Sequence, residues 1–182
     1  MTDPDADLPE ETVWQGHFVT MKRRGRWEYA GRARGIRAAA IVAIDDGHVI
    51  LVSQYRVPLG LECLEIPAGL VGDDDDKHGE DADVAAIREL EEETGYRAGR
   101  MEVLGEFYSS PGMVSEAFTL LRARDLVRVG DGGGVAGETI AVHRVPLAAL
   151  PAFVADWRVG GGGVDVRIAM LMAAGGLLGD VE

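Results

Sequence analysis

The chain has 182 residues, 47% of them hydrophobic and 27% charged, and it carries a formal net charge of -13. These values predict a globular protein with one well-packed domain and a small addition, and no apolar run reaches the length of a membrane-spanning helix. The negative charge argues against a nucleic-acid partner, because a polyanion would be repelled over most of the surface, whereas a small phosphate ester held by a metal ion remains acceptable.

The first residues of the chain are acidic and lack the apolar core of a signal peptide. We expect residues 1–11 to form a disordered acidic tail and the protein to be cytoplasmic. The only cysteine, Cys63, rules out an internal disulfide. It stands between apolar residues, a setting more typical of a buried thiol than of a catalytic one.

The N-terminal third of the chain has the pattern of β-strands. Apolar and aromatic residues at 13–33, interrupted by a basic run, predict two or three strands around a turn. A short apolar run follows at 36–44, and Asp46-Gly47 is a hairpin-turn signal before the strand-like residues 48–55.

The rest of the chain mixes strands with helices. Apolar positions three and four residues apart predict a helix at 83–94, which Gly95 would end in a left-handed cap. Because the strands and helices follow one another with few regular βαβ repeats, the pattern favours an α+β sandwich. The other predicted strands are 101–108, 117–122 and 139–145, and the other predicted helices are 147–157 and 164–174.

An acidic segment at the end of the first helix is the most informative part of the sequence. Residues 88–96 read Arg-Glu-Leu-Glu-Glu-Glu-Thr-Gly-Tyr. On a helix, Glu89, Glu92 and Glu93 share one face, where like charges repel unless a cation offsets them, and Arg88 is spaced to pair with Glu92. Mg²⁺ prefers such oxygen ligands together with water and substrate phosphates. The pattern therefore predicts a metal-carrying helix for phosphate chemistry, with a solvated acidic face as the alternative.

The same segment resembles the signature of the Nudix hydrolases. That pattern is Gly, five residues, Glu, seven residues, Arg-Glu, an apolar residue, any residue, Glu-Glu, any residue, Gly and an apolar residue. Seven residues separate Glu80 from Arg88, and residues 88–96 fit every fixed position. The departure is Gly69, which is separated from Glu80 by ten residues, an excess that we interpret as an insertion around residues 73–76. The resemblance implies the Nudix fold, an α/β/α sandwich with a mixed sheet, here with a small N-terminal β-strand extension.

The resemblance also implies a metal site. Its strongest ligands would be Glu89 and Glu93, with Glu92 beside them and the carbonyl oxygen of Ala68 completing the site. Mg²⁺ is the expected cofactor, with two or more ions per site and Mn²⁺ able to substitute. Such ions would neutralise pyrophosphate oxygens, activate a water and stabilise the leaving phosphate. Glu80 keeps two interpretations, a further metal partner or a group that caps and orients the helix start.

Features outside this signature resemble the ADP-ribose pyrophosphatases, which split ADP-ribose into AMP and ribose 5-phosphate. A proline near the position of Pro111, fifteen residues after Tyr96, marks that subgroup, although Pro-Gly is also an ordinary turn signal. The resemblance implies that Arg56 binds substrate and that Glu65 lies beside the pocket.

Residues 25–29 resemble the segment by which such enzymes hold the nucleobase across a dimer. Trp27 would stack on the base and Glu28 would accept a hydrogen bond from its amino group, with core or interface packing as the alternative for Trp27. We therefore expect a homodimer, with an acidic tail and a β-strand dimerisation subdomain at 1–35 and a Nudix hydrolase domain at 36–182.

The general base has more than one candidate. Glu138 follows a glycine-rich loop that could close over a bound substrate, and the resemblance implies that a glutamate in this loop acts as base or metal partner. Glu116 is the competing candidate, and Glu92 is counted with both the catalytic and the metal-binding residues.

The expected activity is metal-dependent hydrolysis of the pyrophosphate bond of a nucleoside diphosphate linked to a sugar. ADP-ribose is the first expected substrate, and GDP-mannose, ADP-glucose or a dinucleotide is the alternative within the same chemistry. A different class of function is a non-catalytic module that binds ADP-ribose to regulate another process, but such a module should have lost carboxylates of the signature. A purely structural dimerisation domain would leave the acidic helix unexplained.

Overall fold

The computed structural model describes residues 3–33, 37–71, 82–135 and 137–173. In these ranges the elements are, in chain order, β1 (Glu11–Gln15), β2 (Val19–Arg24), β3 (Trp27–Arg32), β4 (Arg37–Asp45), β5 (His48–Arg56), β6 (Leu61–Glu65), β7 (Ala68–Val71), α1 (Ala82–Thr94), β8 (Tyr96–Arg97), β9 (Arg100–Tyr108), β10 (Ala117–Arg124), β11 (Val127–Arg128), β12 (Ile140–Pro146), α2 (Leu150–Val159), β13 (Gly163–Val164) and α3 (Val166–Ala173).

A mixed sheet forms the centre of the fold. β4 and β5 pair at the ends joined by the turn at Asp46 and Gly47, both of which have positive φ, as the hairpin signal requires. Beyond the turn the two strands take different partners. β4 lies between β7 and β10, with β9 outside β10, whereas β5 lies between β6 and β12, with β13 outside β6. The β4–β10 and β6–β13 pairs are parallel, and the others named here are antiparallel.

Both faces of this sheet are covered, which is why its central strands β4 and β5 each contain a continuous apolar run. Side chains of β4 alternate between two cores. Ala39, Ile41 and Ala43 lie in a cluster with buried residues of α1, whereas Ala40 and Val42 lie in a second cluster with residues of α2 and α3. Helices on both faces of a mixed sheet confirm the predicted α+β class and its α/β/α layering.

The first three strands form a separate antiparallel sheet in the order β1-β2-β3, so the prediction of two or three strands at 13–33 is confirmed. Backbone hydrogen bonds attach this sheet to the loop before β10. The Ala30 N–H donates to the Met113 carbonyl at 3.0 Å, and the Ser115 N–H donates to the Ala30 carbonyl at 2.9 Å. The N-terminal sheet and the main sheet therefore approach each other at this loop.

The predicted disordered tail at 1–11 does not match the structure over residues 3–11, and residues 1 and 2 lie outside the described residues. Residues 3–10 lie against the small sheet, and residue 11 already belongs to β1. Glu10 accepts a hydrogen bond from Lys22 Nζ at 2.7 Å, and Asp5 pairs with Arg26 Nε at 3.0 Å. The acidic segment is ordered because its carboxylates form ion pairs with nearby basic side chains. The net charge of the whole chain gives no sign of this local basic run.

The predicted element positions agree with the structure within a few residues, with exceptions. The short strands β6 and β7 on either side of Pro67 and the two-residue strands β8, β11 and β13 were not predicted, and the helix predicted at 147–157 begins as a 3-10 turn before α2. Glu80, the insertion at 73–76 and residue 174 lie outside the described residues. No helix in the described ranges is long and apolar enough to cross a membrane.

Candidate active site

Strand β7 places two residues against the acidic face of α1. The backbone N–H of Ala68 donates to Glu93 Oε2 at 3.1 Å. Gly69 approaches Glu89 so closely that a Cβ atom added to it would lie 2.1 Å from Glu89 Cγ. A glycine is therefore required at 69 if the Glu89 side chain is to keep this position.

Glu93 is the most deeply buried carboxylate of the helix, with 6% of the residue exposed. Burial raises its pKa to about 8; the hydrogen bond from Ala68 opposes this effect, and the charges of Glu89, Glu138 and Glu65 add to it. The ionised form of Glu93 is thus disfavoured by its surroundings when no cation is bound.

Arg88 organises two other carboxylates on this helix. Its Nη1 atom donates to Glu89 Oε1 at 2.8 Å and to Glu92 Oε2 at 3.2 Å, the second being the pair that the helical spacing predicted. Glu91 points elsewhere, since its carboxylate accepts from Arg97 Nε at 2.7 Å. The structure therefore places Glu89 and Glu92 on one guanidinium and leaves Glu93 beside β7.

These residues suit a divalent cation in their chemistry. Clustered carboxylates, among which the charge of Glu89 adds to the raised pKa of Glu93, are the kind of oxygen ligands that hard cations take in proteins. In the part of the chain that the structure describes, however, no group of three His, Cys, Asp or Glu side chains is close enough to hold a cation without rearrangement. Glu89 and Glu92 would have to turn from Arg88 toward Glu93.

The glycine-rich loop after β11 packs against the C-terminal end of α1. The Gly133 N–H donates to the Glu93 carbonyl at 2.9 Å, and the Gly134 N–H donates to the Glu92 carbonyl at 3.0 Å. Gly132 has a φ of 71°, and a Cβ there would lie 2.4 Å from the helix backbone. The loop thus satisfies carbonyl groups that the helix end leaves unpaired.

The two candidate bases lie in different surroundings. Glu138 is exposed at the far end of the glycine-rich loop, and its Oε2 accepts from the Val135 N–H at 3.0 Å. Its charge nevertheless contributes to the raised pKa of Glu93. Glu116 is held in an ion pair in which Arg32 Nε donates to its Oε1 at 2.5 Å. Glu138 is therefore electrostatically coupled to the acidic helix, whereas Glu116 is neutralised by an arginine.

A cleft of roughly 360 Å³ opens beside Ala68 and Gly69. Three guanidinium groups and several acceptors line it, so the cleft can hold an anionic ligand next to the acidic helix. Its charged and hydroxyl-bearing walls are Arg32, Arg56, Ser109, Glu116, Asp165 and Arg167.

Arg56 and Glu65, both predicted from sequence, form one unit. Arg56 Nε donates to Glu65 Oε1 and Arg56 Nη2 donates to Glu65 Oε2, each at 2.6 Å. Glu65 is buried with 3% exposed, whereas Arg56 reaches the cleft. The geometry therefore makes Arg56 the side chain that a ligand would meet and Glu65 the side chain that holds it.

Two of the other three predicted substrate-binding residues line a neighbouring cavity of roughly 340 Å³, and Glu28 does not. Trp27 and Pro111 both line it, and Trp27 is 45% exposed. Glu28 is exposed on β3, opposite Arg23 in the strand pairing. The two cavities share the loop that follows β9, since Ser109 borders one and Pro111 the other.

Three residues of the cleft were missed in the sequence. Arg32 and the pair Asp165 and Arg167 come from opposite ends of the chain, and a single arginine in a strand or at a helix start gives no signal by itself. The separation of 84 residues in the Arg32–Glu116 pair and of 102 residues in the Arg167–Glu65 pair shows why local spacing could not find them.

A family model described as the NUDIX domain matches residues 34–159. The ADP-ribose pyrophosphatase of Bacillus subtilis (strain 168) is 41% identical over 90 residues, which cover 49% of this chain and 46% of that protein. The GDP-mannose pyrophosphatase of Klebsiella pneumoniae is 33% identical over 143 residues, which cover 74% of this chain and 69% of that protein. The chain spans about half the length of the curated relatives that it matches at 41% identity.

A solved structure gives the same result for the fold. The crystal structure of an ADP compounds hydrolase matches with a TM-score of 0.65 and 29% sequence identity, and the match covers 82% of each chain. The likeness extends beyond the signature helix to most of the sheet and helices described above.

Proposed function

The chain belongs to the Nudix family, and from that membership we propose that it hydrolyses the pyrophosphate bond of a nucleoside diphosphate linked to a sugar. ADP-ribose, split into AMP and ribose 5-phosphate, is the proposed first substrate. Relatives named for ADP-ribose, ADP-sugars and GDP-mannose support this class of substrate.

One observation carries the proposal. The Ala68–Gly69 backbone borders the carboxylates of α1 and also lines the cleft that contains Arg56. Carboxylates for a cation and guanidinium groups for an anion are thus both adjacent to the same strand. Hydrolysis of a pyrophosphate requires this combination, because the oxygens must be neutralised while the ligand is held.

Nudix hydrolases generally use divalent metals, and we propose Mg²⁺, with two or more ions per site, as the cofactor here. Glu89, Glu92 and Glu93, with the carbonyl oxygen of Ala68, would hold the ions. When bound, they supply charge neutralisation at the pyrophosphate oxygens and a more acidic water.

In the proposed reaction, side chains of the protein bind the phosphate oxygens and accept the proton of the attacking water. Arg56 donates to phosphate oxygens in the cleft while Glu65 fixes its orientation. Glu138 accepts the proton of the attacking water, whose oxygen bonds to phosphorus as the bridging P–O bond breaks. This role requires Glu138 to leave the Val135 N–H and swing toward Glu93, a movement compatible with a glycine-rich loop. Glu116 is the alternative base and would first have to leave Arg32.

We further propose that the protein is a homodimer assembled through the subdomain at 1–35. The small sheet leaves Val13, Trp14 and Phe18 more than half exposed, at 60%, 57% and 53%, an apolar surface that favours association. In the dimer, Trp27 and Glu28 would contact the nucleobase of a substrate. A chain beginning at residue 36 should sediment as a monomer and show a raised KM; an unchanged KM in that monomer would remove Trp27 and Glu28 from the proposal.

Incubation of the purified protein with ADP-ribose and Mg²⁺, followed by chromatographic measurement of AMP, tests the activity. GDP-mannose, ADP-glucose and a dinucleotide tested in parallel define the substrate. Glu93→Gln should lose activity by several orders of magnitude, whereas the matched control Glu91→Gln should retain it, because Glu91 pairs with Arg97. Binding of ADP-ribose without turnover in the wild-type protein would favour the regulatory-module alternative, and turnover of none of the four compounds would refute the proposed activity.

A further inference from the structure

The chain segment after the family match builds one wall of the cleft. β13 pairs in parallel with β6, with Val164 opposite Leu64. The next backbone N–H, that of Asp165, donates to the Leu64 carbonyl at 2.9 Å. The start of α3 is thereby fixed beside Glu65, the last residue of β6.

Asp165 and Arg167 form a tightly bonded pair at this position. Arg167 Nε donates to Asp165 Oδ1 at 2.7 Å, and Arg167 Nη2 donates to Asp165 Oδ2 at 2.9 Å. The Asp165 carboxylate also accepts from the Arg167 backbone N–H at 2.7 Å. The guanidinium lies over the Phe118 ring, 5.7 Å from its centroid. Few rotamers of Arg167 satisfy all of these contacts, so its position is well defined.

Arg167 also reaches the carboxylate that holds Arg56. Arg167 Nη2 lies 3.5 Å from Glu65 Oε2, the same oxygen that accepts from Arg56 Nη2 at 2.6 Å. The side chain of Glu65 is only 4% exposed. A buried carboxylate with a single cationic partner would be free to follow that partner, whereas one between two guanidinium groups is fixed from both sides.

We propose that Arg167, held by Asp165, is a positioning residue that fixes Arg56 through Glu65 for contact with the anionic part of the substrate. The proposal rests on the proposed function for the identity of that anion. The contact chain runs from Asp165 through Arg167 and Glu65 to Arg56, with alternating charge, and Arg56 is its exposed end.

Direct binding of substrate by Arg167 is the competing role, and the exposure of the two arginines argues against it. The Arg167 side chain is 15% exposed and the Arg56 side chain 41%. Asp165 occupies both Nε and Nη2 of Arg167, which are the donors of one bidentate edge. A ligand phosphate would meet Arg56 first.

Steady-state kinetics with the nucleotide sugar that the protein turns over tests the coupling. Arg167→Gln should raise KM about tenfold with kcat changed less than about twofold, because the lost orientation affects binding of the anion. In an Arg56→Lys background the same change should have almost no effect, since the bidentate geometry that it supports is already absent. Arg167→Lys should recover part of the loss. Arg124→Gln, which breaks a 3.0 Å pair with Glu102 outside the cleft, is the matched control and should leave KM unchanged.

A second measurement needs no turnover. In ¹⁵N NMR spectra the Nε–H signal of Arg56, assigned by its loss in Arg56→Lys, should be protected from solvent exchange in the wild-type protein by its bond to Glu65. Arg167→Gln should increase its exchange rate, and Arg124→Gln should not. If no nucleotide sugar is hydrolysed, the proposed function fails while this signal still reports on Arg167. An unchanged Arg56 signal in Arg167→Gln, or an equal rise in KM with and without Arg56, would overturn the positioning role.

Discussion

Replacement of Glu93 by Gln should stabilise the metal-free protein while it removes the activity. The pKa of Glu93 is raised by burial from the ordinary 4.5 to about 8, so the folded chain holds a proton that the unfolded chain has released. Between these two pH values the unfolded state binds fewer protons, and the stability of the fold falls as the pH rises. Below pH 4.5 the effect is absent, and above pH 8 it reaches its full size.

The size of the effect follows from the difference between the two pKa values. One pKa unit corresponds to ~1.4 kcal/mol. Relative to its value below pH 4.5, the free energy of unfolding is therefore lower by about 2 kcal/mol at pH 6 and by about 4 kcal/mol at pH 8. Gln keeps an oxygen that can accept from the Ala68 N–H and does not titrate. Glu93→Gln should therefore unfold at higher urea concentration than the wild-type protein at pH 8, and at nearly the same concentration at pH 5.

Urea unfolding in EDTA at pH 5, 6.5 and 8 measures this difference for the wild-type chain, Glu93→Gln and the control Glu91→Gln. Glu91 is partly exposed, and its pKa is lowered by the hydrogen bond from Arg97, so its replacement should not produce the gain at pH 8. Added Mg²⁺ should then stabilise the wild-type protein more than Glu93→Gln, because the cation offsets the negative charge of Glu93, which the variant lacks. Equal pH dependence of wild type and Glu93→Gln would show that burial does not disfavour this carboxylate.

Two further predictions concern the positions of catalytic groups. Gly69→Ala should lower kcat by about 100-fold without loss of the fold, because its Cβ would lie 2.1 Å from Glu89 Cγ and displace that carboxylate. The control Gly112→Ala should leave kcat unchanged in the same assay, because the added atom would have open space around it. In single-turnover kinetics Glu138→Gln should slow the chemical step far more than it raises KM, and Glu116→Gln should not; the reverse result would assign the base to Glu116.

The acidic helix shows which structural features can be predicted from local sequence. The end of α1 at Gly95, the shared face of Glu89 and Glu92, and the Arg88–Glu92 pair all follow from a period of 3.6 residues and from the conformational freedom of glycine. None of these features depends on what packs against the helix. The sequence therefore predicted them with nearly the right boundaries.

The N-terminal segment shows where composition misleads. An acidic stretch at 3–10 without an apolar core is typical of a disordered tail, yet its carboxylates meet Lys22 and Arg26 across a neighbouring strand and turn. β6 was missed for a related reason, since a strand of five residues that contains two glutamates has no clear alternation, and it is identified by its pairing with β5.

Sequence alone determined the family signature and the face of the helix that carries the carboxylates, because these depend on neighbours within a few turns or residues. The α/β/α layering was predicted only through the family resemblance that this signature carries. Tertiary structure alone decided that Ala68 meets Glu93 across 25 residues and that Arg167 meets Glu65 across 102. Those contacts depend on the register of β6, β7 and β13 in the sheet and on the packing of α3 against it. Register and packing are set by the whole core at once, so no local pattern in the sequence encodes them.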